Sequence, residues 1–428
     1  MSFYSSGDVS TKYLDPKSFI DGGKGRAVYD FKNAHHLAYL PNMRLLNLGI
    51  FGQADGVPNR LIGLNSLITN ISLQDGRQDL TKLKKFGLYR GFQLSNTDNN
   101  HAMSVVSRKA CAQVGFQEDN LTGLLEYNIL PVQSTQAARG TDGVAAGNGA
   151  DFATIELREV LPMLNSVSHL PSDVFQNLRL VIDFDTSPAG QHLADITNTI
   201  TGLEFPVLAI DVIDNKSIVD KMTRALGNRI SWLEIEHDQV VFEDGNAGAN
   251  NVETISNEKL DGFRNKSVER VLQVKEEIDP AKYLNGNAVL GYGRYQSPAV
   301  FNEKLQVRLN GRNLFPQSGM TGAMERLGYL VDLYGEQVLY PGANQVDIDP
   351  GTIVGPDQAG GTALGGNKSY NAFYVGDRVM DLQIEHKRTS LHDTTNLRPS
   401  TDALNVHYFA EVKKGLVIGN GGYNIVYL

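Results

Sequence analysis

The chain has one cysteine, Cys111, among 428 residues, which rules out an internal disulfide framework and a cysteine-built zinc site. It also has one tryptophan, Trp232. A carbohydrate-binding face wants several exposed aromatics, so a lectin reading is poor. No run of about 18 apolar residues occurs, so nothing reads as a membrane-spanning helix. Met1 to Asp30 lacks the basic start and apolar core of a signal peptide, and a soluble protein is expected. Basic charge is also short. Thirty-nine Lys and Arg against 48 Asp and Glu leave a net charge of −9. Coating of nucleic acid needs a basic face that neutralises phosphates, so no sequence-specific nucleic-acid partner is expected. Lys82 to Lys85 and Lys413-Lys414 read as solvated surface.

The signatures of chemistry are missing too. There is no GxGxxG after a strand, no GxxxxGK[ST], no HExxH and no GxSxG. Gly22-Gly23-Lys24-Gly25 lacks both the preceding strand and the Ser/Thr of a phosphate loop. His35-His36, Glu236-His237-Asp238 and Glu385-His386 with His392 are incomplete as metal sites. Neighbours such as His237 and Asp238 also point to opposite faces of a strand. Asp183/Asp185 and Glu234/Glu236 each line one strand face at i, i+2. Two carboxylates across a cleft can hydrolyse glycosides, but on a sandwich strand such pairs more often make a polar outer face. Asp347 and Asp349 in a loop are weak calcium ligands. The expectation is no enzyme, no cofactor, and no catalytic, cofactor-binding or metal site.

What is present is a β-grammar. From Ser66 to Phe92, Leu67, Thr69, Ile71 and Leu73 alternate with Asn70, Ser72 and Gln74, as in a half-buried strand. Asp75-Gly76 then turns the chain. Leu80, Leu83 and Leu88, with Lys82, Lys84 and Lys85 between them, suggest a short amphipathic helix. The pattern returns at Glu303 to Tyr334: Leu305, Val307 and Leu309 alternate, Asn310-Gly311 turns, and Met324 to Tyr334 looks helical. The two turns lie half a chain apart, and such self-similarity points to two tandem β-modules. Further alternating runs occur at Leu178 to Asp185, Leu208 to Val212, Met380 to Glu385 and Leu404 to Val412. At 233–236, Leu233 and Ile235 alternate with Glu234 and Glu236. Val268 to Ile278 reads equally as strand or helix.

Asn215 to Gly227 is a helix, with Ile218, Met222, Ala225 and Leu226 on one face and Gly227 to end it. Gly is abundant, at 43 residues, which suits many turns. The loops 133–150 and 341–368 have no regular periodicity. Many short strands with few helices indicate an all-β sandwich or jelly-roll class. The expected organisation is an N-terminal arm at 1–26, a first roll at 27–214, a connecting helix at 215–229 and a second roll at 230–428. The arm is expected to order only by docking on a neighbour.

The run NSLITNISLQDGRQDL resembles the early hairpin of major capsid proteins from tailless icosahedral double-stranded DNA viruses, the group of polinton-like viruses and virophages. REVLPMLNSVSHLPSDVFQNLRLVIDFD resembles another stretch of that group, and EKLQVRLNGRNLFP has the same character in the second half. The resemblance covers about a third of the chain and implies a double jelly roll, two eight-stranded sandwiches with a few short helices. It further implies a capsid protein of the virion, made as a soluble protein in the host cell. Homotrimers would tile an icosahedral capsid as pseudo-hexagonal blocks. The implied partners are the chain itself, penton and minor capsid or cement proteins, and an internal membrane where one is present. The alternatives are another virion β-protein (penton, spike or receptor-binding module) and a carbohydrate-binding or carbohydrate-active sandwich.

Overall fold

In a computed structural model, the chain is described over residues 4–19, 24–31, 35–48, 64–95, 153–185, 206–243, 253–278, 303–335, 370–389, 403–419 and 422–428, with short pieces between. Eight strands build the first half: β1 (Val9–Leu14), β2 (Lys24–Asp30), β3 (Arg44–Leu48), β4 (Ile68–Asp75), β5 (Gln78–Lys84), β6 (Ala153–Glu156), β7 (Leu178–Asp185) and β8 (Val207–Ile213). Eight more build the second: β9 (Arg229–Phe242), β10 (Glu253–Lys259), β11 (Ser267–Glu277), β12 (Lys304–Leu309), β13 (Arg312–Asn313), β14 (Asn371–Arg378), β15 (Leu382–Thr389) and β16 (Leu404–Gly419).

The first half pairs them as β6-β3-β8-β1 and β2-β7-β4-β5, the second as β14-β11-β16-β9 and β10-β15-β12-β13. Adding eight to each label of the first half gives the second. Neighbours within these sheets run antiparallel. Two facing four-stranded sheets in this order make a jelly roll, and the chain contains it twice. Small strands extend the frame: Ala38–Tyr39 and Leu170–Pro171 lengthen the first sheet, and Gly422–Tyr427 pairs with β16.

Both hairpins that resemble each other in sequence occupy the same place, β4-β5 and β12-β13, but their turns differ. In the second, Asn310 and Gly311 both have positive φ, at 49° and 81°, the mirror-image turn that matches strand twist. In the first, Asp75 is still paired with Gln78, so Gly76-Arg77 makes the turn and only Gly76 is left-handed, at φ 62°. A Cβ on Gly311 would meet nothing within 4 Å, so its replacement tests backbone strain alone. Gly311→Ala is expected to destabilise the protein by about 1 kcal/mol, read from the urea midpoint.

Three expectations are corrected. The stretch Val9–Leu14 of the expected arm docks on its own chain and not on a neighbour. Val9–Leu14 pairs along its whole length with Val207–Ile213, because an alternating segment gains most by adding to a sheet edge. Leu80 and Leu83 belong to a strand, and the helix α1 (Phe86–Ser95) starts only after it. Leu73 pairs with Thr81 but Gln74 with Asp79, which leaves Leu80 as the extra residue of a bulge. Such an insertion resets the side-chain alternation, and Leu80 and Leu83 both join the core at a spacing that imitates a helix. In β9 the expected alternation fails: Leu233 is exposed and Glu234 fully buried, while Ile235 and Glu236 are both buried. The undecided stretch 268–278 is strand β11.

Three other helices matter here: α2 (Pro162–Ser166), α3 (Lys216–Ala225) and α4 (Ala323–Tyr334). The α3 helix is capped by Asn215, whose side chain accepts from Ser217 N–H at 3.1 Å, and Gly227 follows at φ 76°. Its Val219 and Met222 pack on Ala38, Leu40 and Ile213 of the first roll. The second roll has its own core around Phe242, Val271, Val307 and Val406. The first roll's core does not stop at its boundary, and runs on into Trp232, Leu272, Val274 and Phe409 of the second.

Candidate functional site: buried charges and the seam between the rolls

The strand β5 is the last in its sheet, and an open strand edge needs cover. The second roll supplies it. Glu234 accepts from Lys82 N–H at 2.8 Å, from Thr81 Oγ1 at 3.1 Å and from Trp232 Nε1 at 2.5 Å. Lys414 Nζ donates to the Leu80 carbonyl at 2.9 Å. Burial pushes the Glu234 carboxyl up, with Lys414 and the three donors opposing it. This carboxylate faces no cleft. It is a clamp on the edge strand, and Trp232 beside it is a seam residue and not a sugar platform. The sequence signal was an acid on the same alternating face as Ile230 and Trp232.

On the other side of the seam, α1 lies over the outer face of sheet β14-β11-β16-β9. Tyr89 packs on Phe409 at 5.3 Å between ring centroids, and Phe92 on Tyr370 at 5.1 Å and Tyr334 at 4.9 Å. Phe175 meets Tyr423 at 5.0 Å, and the Tyr423 hydroxyl donates to Asp75 at 2.9 Å. Lys85, just before α1, reaches Glu276 at 3.7 Å. Glu276 also receives His407 Nε2 at 2.9 Å, and His407 Nδ1 lies 3.0 Å from His237 Nε2.

Inside the second roll sits a sealed ionic cluster. Lys275 Nζ donates to both Glu303 carboxylate oxygens at 2.8 Å. His386 Nε2 lies 2.7 Å and Asn371 Nδ2 3.0 Å from Glu303 Oε1, and Arg326 donates to the Glu303 carbonyl at 2.8 Å. Lys275, Glu303 and His386 are fully buried. Burial alone raises the Glu303 carboxyl, but Lys275, the His386 bond and Arg326 outweigh it and hold it well below the ordinary carboxylate range. Nearby, Tyr408 donates to Glu258, whose carboxyl burial pushes up. Among the described residues, every member of this cluster is buried.

The other candidates separate. Asp183 pairs with Arg26 at 2.6 Å on the outer face of β2-β7-β4-β5, in a shallow groove of about 390 Å³ whose walls include Arg179, Lys82 and Lys84. Asp185 ends the same strand. His35 and His36 both lean on Asp173, at 3.3 and 3.4 Å. Glu236 accepts from the Tyr427 hydroxyl at 2.9 Å, and Asp238 from Gly262 N–H at 3.0 Å. His237 and Asp238 do point apart, as strand geometry requires. Glu385 is on the opposite face from His386, near Lys387. Lys24-Gly25 begin a strand. Lys413 pairs with Glu269 at 2.8 Å on the surface, whereas Lys414 is buried. His392, Asp347, Asp349 and the 341–368 loop lie outside the described residues. Among the described residues no group of three or more His, Cys, Asp or Glu could hold a metal, and no helix is long and apolar enough to cross a membrane.

No family model matches the chain, and no curated protein sequence matches it. Its fold is nonetheless that of solved viral coat structures. It aligns with a chain of the Sputnik virophage structure at a TM-score of 0.57 and 10% identity, covering 98% of this chain and 88% of that one. The Faustovirus major capsid protein aligns at 0.56 and 10%, covering 96% and 90%. The mavirus major capsid protein aligns at 0.53 and 10%, covering 100% and 91%. At this identity the likeness is one of fold: the double jelly roll of major capsid proteins, end to end.

Proposed function

We propose that this chain is a major capsid protein, a building block of an icosahedral viral shell with no catalytic role. The observation that carries the reading is the repeated strand order, eight strands and then the same eight again, in a fold shared over nearly its whole length with the mavirus and Faustovirus major capsid proteins. Single-module virion proteins have no need of a second roll. Two rolls per chain let three chains close a ring with six similar sides, which suits a tile with six neighbours. In this reading the division of the chain is functional: a first roll, the connecting helix 215–229 and a second roll at 230–428. Penton proteins, cement proteins and, where present, an internal membrane are the further partners, and the virion shell is the location.

Chain-to-chain contact has a natural place. The outer face of β14-β11-β16-β9 is partly covered by α1, though Tyr374 on it stays exposed, and its counterpart β6-β3-β8-β1 carries Arg44, Leu46, Val207 and Asp211 half-exposed. Tyr13 on that face is 66% exposed. The expected result is a purified particle of about three times 46.9 kDa by light scattering, pseudo-hexagonal in negative stain, with Tyr13→Asp shifting it toward monomer. A wild-type protein that stays monomeric at every concentration and never assembles rejects the capsid reading.

A further inference from the structure

The geometry points to a proton-responsive seam: protonation of the His237–His407 pair, half-buried at His237 and buried at His407, loosens the first roll from the second. The two rings stack at 5.3 Å between centroids, and His237 also lies 5.1 Å from Phe409, the residue on which Tyr89 of α1 packs. His407 is fully buried.

With both rings neutral, the hydrogen bonds admit one arrangement of protons. An ionised Glu276 accepts, so His407 must donate from Nε2, 2.9 Å away. That leaves the lone pair of His407 Nδ1 to accept from His237 Nε2–H at 3.0 Å. The tautomers of both neutral rings are then assigned by the network. A proton added at His407 Nδ1 sets two N–H groups face to face unless His237 shifts its own proton to Nδ1 and accepts at Nε2. A proton added at His237 Nδ1 keeps the bond but creates a half-buried cation beside Lys84 and Lys85. The groups facing His237 are His407 on β16, Glu276 on β11, and Lys84 and Lys85 from the first roll. Of these only Glu276 favours the added charge, and Lys85 already draws on it at 3.7 Å. The two lysines arrive with the first roll, so moving that roll away relieves both the repulsion and the burial.

Burial first, then His407, Lys85 and Lys84, hold His237 down to about 3, with Glu276 opposing. A solvated histidine titrates near 6.5. The group binds its proton less readily in the closed seam, so closure is fully favoured above pH 6.5 and weakens as pH falls from there toward 3. At pH 4.5 full relief of one such group raises the opening constant about a hundredfold, and less where His407 stays beside it. Glu234, raised by burial, acts in the opposite sense and cannot supply this loosening. The effect belongs to the single chain and is read without any assembly.

The test uses the only tryptophan, Trp232, which is buried in the seam. In the full-length protein, acrylamide quenching of its emission is followed from pH 7.5 to 4.5 beside far-UV circular dichroism. Quenching should rise several-fold between pH 6 and 4.5 while the strand signal holds. His237→Gln keeps a donor for His407 Nδ1 but cannot titrate, so its transition should move to lower pH. A Trp232 that stays shielded to pH 4.5 overturns the inference, and so does loss of the strand signal in step with quenching. A His237→Gln variant that opens at the wild-type pH also overturns it. If the variant does not fold, hydrogen exchange of the wild type decides, scaled for the intrinsic pH dependence. Amides of α1 and β16 must lose protection at pH 5 before those of β2, β7 and β4, and a uniform loss rejects the seam as the responsive element.

Discussion

Glu303→Ala should cost about 3–5 kcal/mol of folding free energy, because it strands a charge in a dry core. Lys275 is fully buried, and both of its contacts to a carboxylate, each 2.8 Å, are to Glu303. His386 and Asn371 converge on the same carboxylate, while Arg326 holds the Glu303 carbonyl that alanine keeps, so one substitution leaves three side chains to rearrange. The measurement is the urea midpoint by circular dichroism at pH 7, with the slope checked for constancy. The paired change Lys275→Met with Glu303→Leu should recover most of the loss, since replacing a whole buried ion pair by apolar residues is often neutral or better. A single variant as stable as wild type would mean that the cluster is already hydrated. The pH dependence follows from the depressed Glu303 carboxyl. Its contribution is fully present above an ordinary carboxylate's range near 4.3 and is lost only as pH falls through its own lower value.

Phe92→Ala should also cost about 3–5 kcal/mol, the range for deleting a buried aromatic ring. Its consequence differs in kind. Phe92 is 2% exposed and lies edge-on to both Tyr334 and Tyr370, so it bridges the first roll's α1 to the second roll. The loss should fall on the seam and leave each sandwich intact. Unfolding followed by Trp232 emission is then expected to precede unfolding followed by circular dichroism by a wider margin than in the wild type. Coincident curves in the variant would show that the two rolls remain a single cooperative unit without the aromatic contact.

The sequence made some elements plain and hid others for definable reasons. Alternation exposed β4, β7, β12, β15 and β16, because a period of two survives wherever one face meets a core and the other meets water. The helix α3 was legible from Asn215, its apolar face and Gly227. The helical reading of Leu80 to Leu88 failed at the bulge, where one unpaired residue reset the period. The alternation of β9 failed at Leu233-Glu234 because an acid is normally taken as solvent-facing, whereas Glu234 is clamped by three donors from Thr81, Lys82 and Trp232. Lys275, His386 and His407 gave no local sign of burial, since each is neutralised by a residue distant in sequence.

The order of apolar and polar residues, with Asx-Gly turns placed half a chain apart, by itself determined an all-β protein built from two similar modules. Those signals are local: pleat, turn and helix caps are set within a few residues, and a chain carries them wherever it folds. Only the tertiary structure decided how the modules meet, which acids and histidines lie in the seam and which charges are sealed in the second roll. Burial and pairing depend on what a distant segment brings to the same point, and Glu234 with Lys82 or His237 with Lys85 cannot be read from either partner alone.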